Sequence, residues 1–107
     1  MPNAVEQLVG QLIIAGFRGK TADQNSEIAK YIIDYNIAGV ILYDEDLEIG
    51  GPGSRNIESL DQVKELVKQL QALSKKALLI SVDQEGGQVH RLKPDYGFKE
   101  TPSWNHI

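Results

Sequence analysis

Three short apolar runs set the limits on this fold: residues 12–17 (LIIAGF), 39–43 (GVILY) and 77–82 (ALLISV). None alternates apolar with polar residues, as a strand with one wet face would, so each reads as a buried strand covered on both faces. Helix-period segments lie between them. Residues 26–35 carry Ile28, Tyr31, Ile32 and Tyr35 on one stripe, and Asn36 and Gly39 sit where a helix stops. Ser59 and Gln62 form a capping box ahead of Leu60, Val63, Leu66, Val67, Leu70 and Leu73, the clearest amphipathic helix in the chain. A first helix is expected at the start, where Asn3 and Glu6 have capping spacing and Val5, Leu8, Val9 and Leu12 recur at helical intervals. The order helix–β–α–β–α–β–loop implies α/β architecture, a parallel sheet and right-handed crossovers. Three strands with two crossover helices are an unfinished object, a piece of a larger open sheet or barrel.

Composition narrows the class. At 107 residues the chain is one domain at most, and 41% apolar with 24% charged residues argues against disorder. No apolar run approaches the roughly 20 residues that cross a bilayer, so no membrane partner is expected. The first ten residues carry Glu6 instead of a basic segment, which is not a signal-peptide pattern. With no cysteine, disulfides and thiolate metal sites are excluded, and a cytoplasmic location is expected. Eleven Lys and Arg against 15 Asp and Glu give a net charge of −4, so nucleic acid is not an expected partner.

Sites of α/β folds gather at the carboxyl ends of parallel strands. The exits here are Arg18-Gly19, residues 44–46 and residues 83–91, and the last is the richest: DQEGGQVHR. Carboxylates accept paired hydroxyls, arginine donates a fork of hydrogen bonds, and two glycines permit close backbone approach, which together suit a polyol-binding lip. The bland alternative is a charged loop turned by Gly86-Gly87. Asp83 and Glu85 also resemble a glycosidase carboxylate pair, but residues two apart meet either the retaining spacing of about 5–5.5 Å or the inverting one of roughly 6.5–9.5 Å. Gly19-Lys20-Thr21 is not a phosphate loop, because position 14 is Ile14 where that motif needs glycine. Gly50, Gly51 and Gly53 read as loop punctuation. His90 and His106 lack metal-ligand spacing, and no metal is expected. Trp104, Tyr96 and Phe98 either stack on a sugar or anchor the tail.

The run LLISVDQEGGQVHRLKPDYGF resembles the N-terminal barrel domain of glycoside hydrolase family 3, above all the β-N-acetylhexosaminidase-like members with their D-Q-E-G-G-x-V-x-R signature. QLIIAGFRG is similar to the family's first strand, IIDYNIAGVILYDEDL to its first helix end and second strand, and RNIESLDQVKELVKQLQ to the opening of the next helix. The resemblance implies the N-terminal β/α units of a TIM-type (β/α)8 barrel, incomplete over residues 1–107 and forming one partial domain. It also implies retaining hydrolysis of a terminal β-linked sugar with no cofactor. Asp83 and Arg91 then correspond to substrate-binding positions, and Glu85, Gly86 and Gly87 shape the loop between them. The family's nucleophile is a late aspartate and its acid/base a His–Asp dyad in a K-H-F-P-G-H-like loop. Neither matches any segment here, so no catalytic residue is assigned to this chain.

Two functions remain as expectations. The first is an N-terminal portion of a family 3 glycosidase, inactive alone. The second is a non-catalytic carbohydrate-binding or assembly module. Either way the expected partner is a terminal β-linked sugar, and self-association through unpaired sheet edges is expected of the folded chain.

Overall fold

A computed structural model describes residues 3–100 and residue 102. Its elements run α1 (Ala4–Gly10), β1 (Ile14–Gly16), α2 (Glu27–Ile33), β2 (Gly39–Leu42), α3 (Leu60–Leu73), β3 (Leu79–Val82) and a 3-10 turn, Pro94–Tyr96. Both expected capping boxes form, Asn3 with Glu6 on α1 and Ser59 with Gln62 on α3, because each needs only residues three apart. The strands make one parallel sheet in the order β1-β2-β3, with Ala15, Val40 and Ile80 level across it and Leu42 beside Val82.

Those level residues define the covered face. Val40 and Leu42 join Ile28 and Ile32 of α2 and Leu66 and Leu70 of α3 in one core, with Ala15, Ile80 and Val82 packed against it. Both crossover helices therefore lie on the same side of the sheet. A strand order without reversal and helices on one side is the arrangement of a singly wound barrel wall, as opposed to a doubly wound sheet.

The opposite face corrects the sequence reading. Ile14 and Leu79, level with Gly39, are 50% and 59% exposed, so β1 and β3 are covered on one face only. In a complete barrel that face is filled by side chains from the other strands, and an apolar strand shows what its faces require without showing what supplies the cover. The first helix differs likewise: Val5, Leu8 and Val9 are exposed, Leu12 is 85% exposed, and Gly10 is the buried residue of α1. In α2 the core takes Ile28, Ala29 and Ile32, whereas Tyr31 and Tyr35 stay at the surface with their rings 6.4 Å apart.

Candidate functional site

The carboxyl ends of β1 and β2 are bound together by one buried side chain, Asn56. Its Nδ2 donates to the carbonyls of Phe17 (3.2 Å) and Gly19 (2.8 Å) beyond β1, and its Oδ1 accepts from the Tyr43 amide beyond β2 (3.0 Å). Its own carbonyl accepts from Gln62 Nε2 at 2.7 Å, which fastens the start of α3 to the same point. Arg55, next in the chain, donates from Nε to the Phe17 carbonyl (2.9 Å) and lays its guanidinium 5.1 Å from the centre of the Tyr43 ring.

Tyr43 lies two residues beyond Ile41, on the face of the sheet turned away from α2 and α3. Arg91 also approaches its ring, at 5.6 Å, so Tyr43 is in cation–π range of two guanidinium groups. Asp83 follows Ser81 by the same two-residue step, onto that same uncovered face, and is exposed. The loop after it is self-fastened. Gln84 Oε1 accepts from the Arg91 and Leu92 amides at 2.9 and 3.0 Å, and the Glu85 amide donates to the Val89 carbonyl at 2.9 Å. Gly86 and Gly87 take φ of +74° and +58°, the left-handed region that disfavours side chains, and Glu85 points to solvent.

Arg91 leans towards β2 as well. Its Nη1 lies 3.9 Å from Oδ1 of Asp44, whose side chain is 1% exposed. Asp44 Oδ2 meets Lys93 Nζ at 2.7 Å and accepts the Tyr96 hydroxyl at 2.9 Å. Tyr96 thus anchors the segment after the loop, and Phe98 packs on the core, which answers the choice left open for these two aromatics. Trp104 and His106 lie outside the described residues. Among the described residues no group of three or more His, Cys, Asp or Glu could hold a metal ion.

A second acidic centre lies two residues further along, at Asp46. Asp46 pairs with Arg18 at 2.6 Å, and Arg18 also reaches Glu48 at 2.9 Å, which raises the guanidinium's pKa above its ordinary value. Burial alone would raise the Asp46 carboxyl, but the amides of Glu48 and Ile49 together with Arg18 outweigh it and hold the group below 3.8. The stability it contributes is complete above that value and is lost as pH falls through the depressed one. Tyr96 behaves oppositely: burial first, then the hydrogen bond to Asp44 and its charge, push the phenol from 10.0 up to about 12. Stability from the neutral phenol is complete below pH 10 and disappears as pH rises through about 12. Urea midpoints across that window should fall more steeply for the wild type than for Tyr96→Phe. Parallel curves would remove Tyr96 from the account.

Asn56, Tyr43 and Lys93 were not singled out by sequence reasoning, and Asp44 was placed at a strand exit without a role. Asp44 had one available signal, its place directly after an apolar run. Asn56 had none, because its partners stand 37 and 39 residues upstream.

A one-sided parallel sheet with its polar groups gathered beyond the strand ends defines a wall of a β/α barrel with its site at the carboxyl rim. Residues 4–99 match the glycosyl hydrolase family 3 N-terminal domain, and the chain belongs to that family. A beta-hexosaminidase of Haemophilus influenzae is 34% identical over 91 residues, covering 85% of this chain and 22% of that protein. One from Idiomarina loihiensis is 39% identical over 88 residues, covering 75% of this chain and 26% of the relative. Among solved structures, a glycoside hydrolase family 3 β-N-acetylglucosaminidase from Paenibacillus sp. superposes with a TM-score of 0.76 at 33% identity, over 95% of this chain and 18% of that one. NagZ from Neisseria gonorrhoeae, in complex with N-trifluoroacetyl-D-glucosamine, gives 0.65 at 29% identity, over 84% and 22%. The chain thus spans about a quarter or less of the length of these relatives.

Proposed function

We infer that these residues supply the first three β/α units and part of the sugar-binding lip of a glycosidase acting on terminal β-linked N-acetylhexosamine. The observation that carries this reading is the DQEGGQVHR loop at the carboxyl end of β3, within a chain whose curated relatives are named beta-hexosaminidases. Asp83, exposed beyond β3, can accept two vicinal sugar hydroxyls, and Arg91 can donate to ring substituents or hydroxyls from the loop's far end. Retaining hydrolysis needs a nucleophile and an acid/base group on either side of the scissile bond. No residue here matches the family motifs for those groups, so the 107 residues bind without cleaving. Titration with N-acetylglucosamine, followed by ligand NMR, should give saturable millimolar binding that disappears in Asp83→Ala. A flat titration with the wild type would end this reading.

Self-association belongs to the same proposal. β1 and β3 are the outer strands, and an apolar groove lined by Val5, Val9, Ile13, Ala15, Tyr31 and Tyr35 lies beside β1 on the helix side of the sheet. Open parallel edges with apolar surroundings recruit a further strand or a second copy. Sedimentation of the purified chain should therefore show dimers or larger species. A clean monomer with cooperative unfolding would contradict it.

A further inference from the structure

We propose that Asp44 is a positioning residue for Arg91, holding its guanidinium at the rim so that it meets a sugar already ordered. This rests on the reading of Arg91 as a sugar contact. Asp44 divides its two oxygens: Oδ2 holds Lys93 (2.7 Å) and the Tyr96 hydroxyl (2.9 Å), which fixes the carboxylate, while Oδ1 faces Arg91 Nη1 at 3.9 Å. The Tyr43 ring holds the same guanidinium 5.6 Å from its centre. Arg91 Nε is buried and has no hydrogen-bond partner among the described residues, so contacts at the ring and at Nη1 restrain the head group. A buried carboxylate is only weakly screened, and its pull on a cation at this distance outlasts that of an exposed pair. An arginine ordered in advance loses less conformational freedom when a ligand arrives. Asp44 touches no sugar in this arrangement and acts through Arg91.

The test uses the 107-residue chain, N-acetylglucosamine as probe, and the Nε–H signal of Arg91 in 15N NMR. In the wild type that buried proton should exchange with water about tenfold more slowly than the Nε–H of free arginine under the same conditions. Asp44→Asn keeps the shape and an acceptor for Tyr96 but removes the charge. It should speed Arg91 Nε–H exchange and weaken sugar binding, each about tenfold. Tyr96→Phe lowers stability yet should leave both readouts within about twofold, because it spares the Oδ1–Arg91 contact. Equal losses in Asp44→Asn and Tyr96→Phe would reduce Asp44 to a structural tie and overturn the proposal. Arg91→Ala separates the two layers: unchanged binding there refutes Arg91 as a sugar contact, while exchange in Asp44→Asn still judges the tether. If Asp44→Asn does not fold, the wild-type comparison decides, and exchange at Arg91 equal to that of free arginine contradicts the proposal.

Discussion

Asn56→Ala should destabilise the chain by about 3 kcal/mol and loosen the rim beyond β1 and β2, because it removes three hydrogen bonds and leaves two of their partners unsatisfied. The Gly19 carbonyl loses its donor and the Tyr43 amide its acceptor, while the Phe17 carbonyl keeps the bond from Arg55 Nε. Each intramolecular bond contributes about 1 kcal/mol net, but an unsatisfied buried group adds roughly 1–3 kcal/mol, so the stranded partners dominate the loss. Asn56 is fully buried, which leaves little room for water to substitute. Asn56→Asp should be at least as damaging, since a second acceptor would then face two carbonyl oxygens. A urea midpoint shift with unchanged slope is the expected signature. A shift below about 1 kcal/mol in Asn56→Ala would show that the β1 and β2 exits are held by other contacts.

Gly39→Ala should have an effect of similar size for a different reason. Gly39 opens β2, level with Ile14 on one side and Leu79 on the other. A Cβ there would sit 2.5 Å from the Leu79 carbonyl oxygen and 2.6 Å from the Leu79 Cβ. Both obstacles belong to the backbone or its first side-chain atom, so no rotamer change relieves them. β2 and β3 must separate, at the point where the Leu79 amide donates to the Ala38 carbonyl (3.0 Å). Overpacking a close contact of this kind costs about 3 kcal/mol, a large part of the roughly 5–15 kcal/mol that holds a domain of this size. Thermal or urea unfolding of the variant measures it. Wild-type stability in Gly39→Ala would mean that the two strands lie further apart than described.

What could be read in advance follows the range of each interaction. The two capping boxes and the α3 stripe rest on residues three or four apart, and Leu66 and Leu70 are buried as their spacing requires. The parallel sheet followed from β-α-β alternation, which by itself left open sheet and barrel orders equally possible. Burial was harder to read. Tyr31 shares a helical stripe with Ile28 and Ile32 yet lies outside the core, because the sheet face that α2 covers is only as wide as its three strands. The first helix shows the same limit: its apolar residues are exposed where nothing described here packs over them. In the site, residues 83–91 were visible as a strand-exit loop, since their signal is contiguous. The cluster of Asp44 with Arg91, Lys93 and Tyr96 joins segments about 50 residues apart, and charge pairing over that distance leaves no periodic trace. Tyr43 looked like the last apolar residue of a strand, and its role as a platform for Arg55 and Arg91 depends wholly on what folds against it.

On the proposed function, these residues contribute part of the sugar-binding lip of a family 3 site and do not cleave by themselves. Incubating the purified 107-residue chain with an aryl β-N-acetylglucosaminide and following release of the aryl alcohol tests it most directly. The account predicts no release above the uncatalysed blank. Turnover that vanishes in Asp83→Ala would contradict it, since a nucleophile and an acid/base group would then lie within these residues.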